Sequence, residues 1–249
     1  MRKAAVWLLS FAALLGLSGA EILGPPAEFH FLRMEYRDHP RARRSWGRGW
    51  WMQDWPEAEM HFNMGIKRMT RIDVGEIRHT GLMDDGIYEY PWIYATQVGW
   101  WDLSDGEARR LGEYLRRGGF LVVDDFFGPS DWQHFAGTMA RVLPDRPIEE
   151  LRDEEPVMRM VFDIKERVFI PGLRHLRNRG MDGVIIEPTG QPPTWRAIYD
   201  AKGNMLVAIN FNVDVGDAWE HADMPEYPEN MTSLAYRFGI NYIVYAMTH

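Results

Sequence analysis

Two adjacent aspartates, Asp124 and Asp125, follow a short apolar run and precede a helical pattern. If the apolar run is a buried strand, both lie at the carboxyl edge of an α/β sheet, where ligands bind. Neighbouring carboxylates there can divide acid and base work between them, or bind a hard cation through oxygen. The alternative is structural: one aspartate caps the next helix and the other pairs with an arginine.

A second acidic cluster lies in the run VDVGDAWEHAD near the C-terminus. Its carboxylates recur every three residues, at Asp214, Asp217, Glu220 and Asp223. A helix would bring them together, and such crowding requires a cation or arginine side chains. The run lacks the ligand pattern of an EF-hand, and His221 alone is no zinc signature, so we expect no metal and no cofactor. Contact with a ligand and a solvated acidic loop remain the alternatives.

Four tryptophans fall within ten residues: Trp46, Trp50, Trp51 and Trp55. Flat rings with polar neighbours suit sugars or aromatic ligands, although tryptophans in this number are more often part of a core. Several arginines precede them, and Asp54 and His61 are the best polar members of the segment. We take Asp54 and Trp55 as candidate ligand-binding residues.

Composition excludes several kinds of chemistry. The chain has no cysteine, which removes thiolate nucleophiles, disulfides, cysteine zinc sites and iron-sulfur clusters. Its glycines lack the spacing of phosphate-binding loops, and no serine stands in a nucleophile elbow. With 36 acidic against 28 basic residues, the charge also argues against general nucleic-acid binding.

Residues 1–20 have the organisation of an export signal: a short basic start, an apolar run over residues 4–17, and small residues Ser18 and Ala20 before Glu21. The apolar run is about fourteen residues long, which is too short to cross a bilayer as a settled helix. We therefore predict cleavage after Ala20 and a periplasmic or secreted protein. The cleaved chain is expected to have no membrane span.

The clearest structural unit begins at Ser104, which has Glu107 at the capping-box spacing and apolar residues at helical intervals behind it. Residues 120–123 follow as a wholly apolar run, typical of a strand buried on both faces of a parallel sheet. A second helix follows the break at Gly128 and Pro129, with Ser130 as its predicted cap. Helix, buried strand and helix indicate a three-layer, doubly wound α/β sheet.

The other predicted elements are strands at residues 28–36, 72–77, 92–98 and 183–187, a helix from Pro56 to Arg68, and a partly helical connection over residues 153–179. Residues 194–199 and 205–211 flank a turn and predict an antiparallel hairpin at the sheet edge. Residues 232–248 predict a helix so apolar that it must be buried. Residues 21–249 are thus expected to form one domain with a mostly parallel sheet.

Several stretches together resemble the bacterial family catalogued as domain of unknown function 4159. They are FHFLRMEY, DWPEAEMHF, YPWIY, RRGGFLVVDDFFG, NVDVGDAWEHAD and YPENMTSLAYRFGINYIVYAMTH. The resemblance implies a class I glutamine amidotransferase-like, flavodoxin-like fold whose functional turn follows the strand at residues 120–123. True amidotransferases have a nucleophilic cysteine at that turn, so the usual thiolate route is excluded here. Larger members resemble membrane-anchored proteins in which this domain follows other modules, which favours an interaction role in the bacterial envelope.

These observations predict a crevice at the carboxyl ends of the strands. Its expected lining is Asp54, Trp55, Asp124, Asp125, Asp214 and Asp217. The leading hypothesis is binding of a glycan or another small polar molecule. The alternatives are a carboxylate-dependent hydrolase, in which Asp124 or Asp125 acts with His61 or Glu220, and a structural module that binds an envelope protein.

Overall fold

The computed structural model describes residues 27–42, 49–178 and 191–249. In this part of the chain the strands are β1 (Leu32–Glu35), β2 (Arg78–Gly81), β3 (Trp92–Thr96), β4 (Phe120–Asp124), β5 (Glu149–Glu150), β6 (Thr194–Tyr199) and β7 (Met205–Phe211). They form one sheet in the order β2-β1-β3-β4-β7-β6-β5. The pairs from β2 to β7 are parallel, and β6 and β5 are antiparallel. The predicted export signal, Trp46 and the predicted strand at 183–187 lie outside the described residues.

Helices cover both faces of this sheet. They are α1 (Glu57–Met69), α2 (Asp105–Arg116), α3 (Gly128–Val142), α4 (Leu173–Arg177), α5 (Val215–Glu220) and α6 (Glu229–Thr248). Side chains of β4 alternate between two apolar cores: Leu121 and Val123 pack with residues of α2 and α3, while Phe120 and Val122 pack with residues of α1, α5 and α6. The predicted three-layer α/β architecture is confirmed.

Local signals in the sequence give several elements correctly. Ser104 and Glu107 form the predicted capping box, with the Ser104 hydroxyl accepting from the Glu107 amide and the Glu107 carboxylate accepting from the Ser104 amide. The C-terminal helix forms as α6 and buries ten residues. The predicted hairpin is also present as β6 and β7. However, β7 lies inside the sheet beside β4, and β5 forms that edge.

Two predictions about local structure are wrong. Residues 72–77 do not form a regular strand: Val74 makes an isolated bridge with Phe29, and β2 forms later along the chain, where it can pair in register with β1. Ser130 does not cap α3, because the helix already begins at Gly128. The amide of Gly128 donates instead to the side chain of Asn212, which fixes the start of the helix from another strand end.

Candidate functional site

The candidate site lies at the carboxyl edge of three neighbouring parallel strands, β3, β4 and β7. Each strand is followed at once by a non-glycine residue in the left-handed region: Gln97 (φ 52°), Asp125 (φ 53°) and Asn212 (φ 57°). Asp54, just before α1, has a φ of 62°. Such conformations are uncommon outside glycine and cluster at functional sites. The surrounding structure therefore holds the backbone at this edge in a left-handed conformation that non-glycine residues rarely adopt.

Three aspartates from separate segments converge at this edge. Asp54, Asp125 and Asp214 each direct one carboxylate oxygen into a space where the three oxygens lie within 4.8 Å of one another. The side chains are buried, with 8%, 4% and 4% of their residues' surface exposed. We name these residues the aspartate triad. All three are predicted site residues, and the structure brings them together.

Each member of the triad is oriented by a nearby donor, and Asp125 Oδ2 also accepts a long hydrogen bond from the Thr96 hydroxyl (3.4 Å). The hydrogen bonds run from Gln53 Nε2 to Asp54 Oδ1 (2.6 Å), from Gln97 Nε2 to Asp125 Oδ2 (2.5 Å) and from the Asp217 amide to Asp214 Oδ1 (2.9 Å). Within the described residues, Asp54 Oδ2 is buried and has no hydrogen-bond partner. A buried carboxylate oxygen without a donor is costly unless a proton or a cation reaches it.

Burial and mutual repulsion both oppose ionisation of the triad. Burial raises the pKa of Asp54 well above its ordinary value, and the charges of Asp217 and Asp125 raise it further. The pKa of Asp125 is raised by burial and by Asp124, and that of Asp214 by burial and by Asp125. Unless a cation binds beside them, the aspartates of the triad therefore retain protons at pH values where exposed aspartates are ionised.

Asp124 has a different role from its neighbour Asp125. Its Oδ2 accepts hydrogen bonds from the amides of Val215 (2.8 Å) and Gly216 (3.1 Å), in the first turn of α5. Burial raises the pKa of Asp124 to about 7, although the Tyr94 hydroxyl and these amides oppose the shift. Asp124 thus has a structural role, as the structural alternative expects, but at the start of α5, whose N-cap residue is Asp214, and not at the helix that follows β4.

A second acidic group borders the triad. Asp217, Glu220 and His221 bring one ligand atom each within 4.8 Å of the others, and all three are half-buried. Asp217 Oδ2 is already used, because it accepts from the Leu173 amide at 2.6 Å. Asp223, the last acidic residue of the predicted cluster, is exposed. The three-residue spacing therefore brings only part of that cluster to the site.

Two glycines let the backbone approach the aspartates closely. A β-carbon at Gly216 would lie 3.0 Å from Asp54 Oδ2 and 2.9 Å from the Tyr94 hydroxyl. One at Gly172 would lie 2.6 Å from Asp214 Oδ2. These distances are shorter than ordinary contacts, so neither position accepts a side chain without a shift of its neighbours. The space around the triad is therefore narrow.

A buried ion pair holds the segment that carries Asp54. Arg33 lies in β1, forms a salt bridge with Glu59, and donates from Nη1 to the carbonyl oxygens of Trp51 (3.3 Å) and Gln53 (3.2 Å). Arg33 is not among the site residues predicted from the sequence, although an arginine among the apolar residues of the predicted strand at 28–36 is a signal of a buried ion pair. Gln97 is not among them either, since it lies within the strand predicted at residues 92–98. Both residues act by positioning triad members.

Two predicted residues lie apart from the triad. His61 faces Trp219, whose carbonyl oxygen is 3.1 Å from its Nδ1, and it lines a groove between α1 and α6 with Met64 and Tyr236. Trp55 packs its ring edge to face with His79 of β2, with centroids 5.3 Å apart. The tryptophan segment therefore contacts the β2 end of the sheet. Glu220 does lie near Asp54, and the two carboxyl groups interact.

The family of this chain follows from a comparison with protein-family models. Among the residues that the structure describes, no helix combines the length and apolar character of a membrane span. A search of curated proteins finds no match to this chain. A family model does match, over residues 31–247, which include every member of the triad and of the second acidic group. The chain therefore belongs to the family described as Domain of unknown function (DUF4159).

Proposed function

We propose that this protein is a ligand-binding domain of the bacterial envelope whose site is the aspartate triad. The observation that carries the proposal is the convergence of three buried carboxylates at a sheet edge, one of them with an unpartnered oxygen. Carboxylates in such a place bind groups that donate hydrogen bonds or carry positive charge. The ligand would be a small polar molecule or the polar face of a glycan.

The position of Asp125 supports an amidotransferase-like ancestry for this site. Asp125 follows the central strand β4, precedes α3 and has a left-handed backbone, as does a nucleophile at a strand-to-helix elbow. The resemblance described above places the reactive cysteine of amidotransferases at this turn. An aspartate there retains the left-handed backbone of the turn but supplies a carboxylate in place of a thiolate.

Ligand-induced thermal stabilisation tests the proposal. The purified protein would be melted with a panel of envelope glycans, sugar amines and polyamines in a buffer that contains a chelator. We expect at least one class to raise the melting temperature of the wild type and of Asp223→Asn, but not that of Asp125→Asn. Absence of a response to every class, both in chelator and in the presence of a divalent cation, or an equal response in Asp125→Asn, would contradict binding at the triad.

A second candidate function is a carboxylate-dependent hydrolase. The raised pKa values of Asp54 and Asp125 favour it, because a protonated carboxylic acid can serve as a general acid. Its partner would be Glu220, since His61 lies in the groove between α1 and α6. Hydrolysis of glycoside and ester substrates that is lost in both Asp125→Asn and Glu220→Gln would favour this function over simple binding.

Export is part of the proposal and rests on residues 1–20. An exported domain of this kind would reach its ligand, or an envelope protein partner, outside the cytoplasm. Mass spectrometry of the protein isolated from its native cells tests this directly. We expect an N-terminus at Glu21; a chain that retains Met1 in a membrane fraction would contradict cleavage and would support an uncleaved anchor.

A further inference from the structure

We propose that Asp54, Asp125 and Asp214 together bind one hard divalent cation, of the class of Mg²⁺, Mn²⁺ or Ca²⁺. This inference rests on the proposed function, because it concerns the same site and names what neutralises the carboxylates to which a ligand would bind. It departs from the sequence-based expectation that the protein has no metal. The spacing of residues 214–223 led to that expectation, whereas the triad draws on three separate segments.

The spacing of the oxygens suits a single ion. One oxygen from each aspartate lies within 4.8 Å of the other two. Metal–oxygen bonds of about 2.1 Å for Mg²⁺ or about 2.4 Å for Ca²⁺ place ligand oxygens roughly 3 Å apart when adjacent and about 4 to 5 Å apart when opposite. Oxygens within 4.8 Å of one another are thus close enough to share one ion of this size.

The unpartnered oxygen is the independent observation. Asp54 has 8% of its surface exposed, and within the described residues its Oδ2 has no donor, while Oδ1 accepts from Gln53. A β-carbon at Gly216 would lie 3.0 Å from this Oδ2 and 3.7 Å from Asp214 Oδ1, which places the unpartnered oxygen on the side of Asp54 that faces Asp214. Gln97 orients Asp125 in the same way, through Oδ2. Supporting hydrogen bonds of this kind are characteristic of carboxylates that ligate metals.

Within the described ranges, the triad has little positive charge to offset its carboxylates. Arg33 is the one buried cation there, and its guanidinium already forms a salt bridge with Glu59. Asp124 and Asp217 add further negative charge at the same edge. A divalent cation would offset two charges at once, in a low-dielectric setting where the attraction is strong.

The donor set and the narrow space select the kind of ion. All three ligands are carboxylate oxygens, which suit hard cations, whereas softer metals favour thiolate or imidazole. The backbone of Gly216 approaches so closely that even a β-carbon would meet Asp54 Oδ2 at 3.0 Å. A bare ion fits such a space better than an alkylammonium group does. Its remaining coordination positions would be filled by water or by polar atoms of a ligand.

Direct binding measurements test the inference. Purified protein, freed of metal with a chelator and then dialysed, would be titrated calorimetrically with Mg²⁺, Mn²⁺ and Ca²⁺ chlorides at constant ionic strength. We expect one ion per chain and a higher melting temperature with at least one cation. Asp54→Asn and Asp125→Asn should each weaken binding more than about tenfold. Asparagine tolerates the left-handed backbone of both positions, so these variants should fold.

Matched variants locate the ion. Asp223→Asn removes an exposed carboxylate from the same acidic run and should bind as the wild type does. His221→Gln tests the second acidic group and should also leave binding unchanged. The inference would be overturned if none of the three cations binds, if Asp223→Asn weakens binding as much as Asp54→Asn, or if His221→Gln abolishes it.

The ligand panel separates this inference from the proposed function. If no cation binds but a glycan or amine stabilises the chelator-treated wild type and not Asp125→Asn, the cation inference fails and the proposed function stands. If a cation binds at the triad but no panel member changes the melting temperature with or without it, the cation site stands and the ligand-binding function fails.

Discussion

The backbone of Gly216 lies so close to Asp54 that a β-carbon at position 216 would be 3.0 Å from the Asp54 Oδ2 atom. The same β-carbon would be 2.9 Å from the Tyr94 hydroxyl, and both groups are buried. We therefore expect Gly216→Ala to destabilise the fold by about 1 to 3 kcal/mol, the usual cost of an overpacked interior. Chemical denaturation measures this change, and cation titration should show weaker binding.

Gly137→Ala is the control for this prediction. Gly137 lies on the exposed side of α3, and a β-carbon there would meet nothing within 4 Å. Alanine is the better helix former, so this variant should be neutral or up to about 1 kcal/mol more stable. Equal effects of the two substitutions would mean that close packing against Asp54 does not restrict position 216.

The buried pair of Arg33 and Glu59 should be sensitive to the loss of one partner. Arg33→Met leaves the Glu59 carboxylate buried without its cation, and we expect a loss of about 3 to 5 kcal/mol in the free energy of unfolding. The double variant Arg33→Met with Glu59→Met removes both charges and should recover much of that stability. Urea denaturation of the wild type, the two single variants Arg33→Met and Glu59→Met, and the double variant measures the coupling.

Binding should not recover in the double variant. Arg33 also donates to the carbonyl oxygens of Trp51 and Gln53, and those hydrogen bonds hold the segment that ends in Asp54. A folded double variant with cation affinity equal to that of the wild type would show that this segment is held without Arg33.

The contrast between Asp54 and His61 shows which site residues can be predicted from the sequence. Both belong to the same tryptophan-rich stretch, but Asp54 lies just before α1 and His61 lies within it. His61 is four residues beyond Glu57, the first residue of α1, and so lies about 6 Å along the helix, away from the edge at which α1 begins. Residues that end a strand or begin a helix are placed by local pattern, which is why Asp124, Asp125 and Asp214 could be assigned to the sheet edge.

Tertiary relationships could not be predicted in this way. The pairing of Arg33 with Glu59 joins β1 to α1, and the close approach of Gly172 to Asp214 joins the start of α4 to the start of α5. Neither pair shares a local motif, since both depend on how distant segments pack. The prediction of a strand at residues 72–77 was wrong for the same reason. The strand forms at residues 78–81 because those residues pair with β1, and this pairing depends on a distant segment.

Loss of the α2 cap should separate stability from binding. Ser104→Ala removes the side-chain hydrogen bond to the Glu107 amide and should cost about 1 kcal/mol. The cap lies at the start of α2, which packs on the face of the sheet opposite to α1 and α5. It contributes no ligand atom to the triad. Thermal melting should therefore show a lower melting temperature, whereas calorimetric cation affinity should match the wild type. A parallel loss of affinity would indicate that binding reports only global stability.

The raised pKa of Asp124 predicts a dependence of stability on pH. Burial raises this pKa from 3.8 to about 7, so the folded protein binds a proton that the unfolded chain has already released between these values. The contribution of Asp124 to the free energy of unfolding therefore falls as pH rises from about 4 to 7 and levels off above that range. The triad aspartates, whose pKa values are also raised, lose stability with rising pH in the wild type and in an Asp124 variant alike. Asp124→Asn cannot titrate, yet its carbonyl oxygen can still accept from the amides of Val215 and Gly216. With chelator present, we expect the stability of the variant to match that of the wild type near pH 4.5 and to exceed it by a few kcal/mol near pH 8.

Urea denaturation across this pH range measures how the free energy of unfolding of each protein changes with pH, and Asp223→Asn is the control that we expect to follow the wild type. If Asp124→Asn lost stability with pH as steeply as the wild type does, the proton would have to reside on another group.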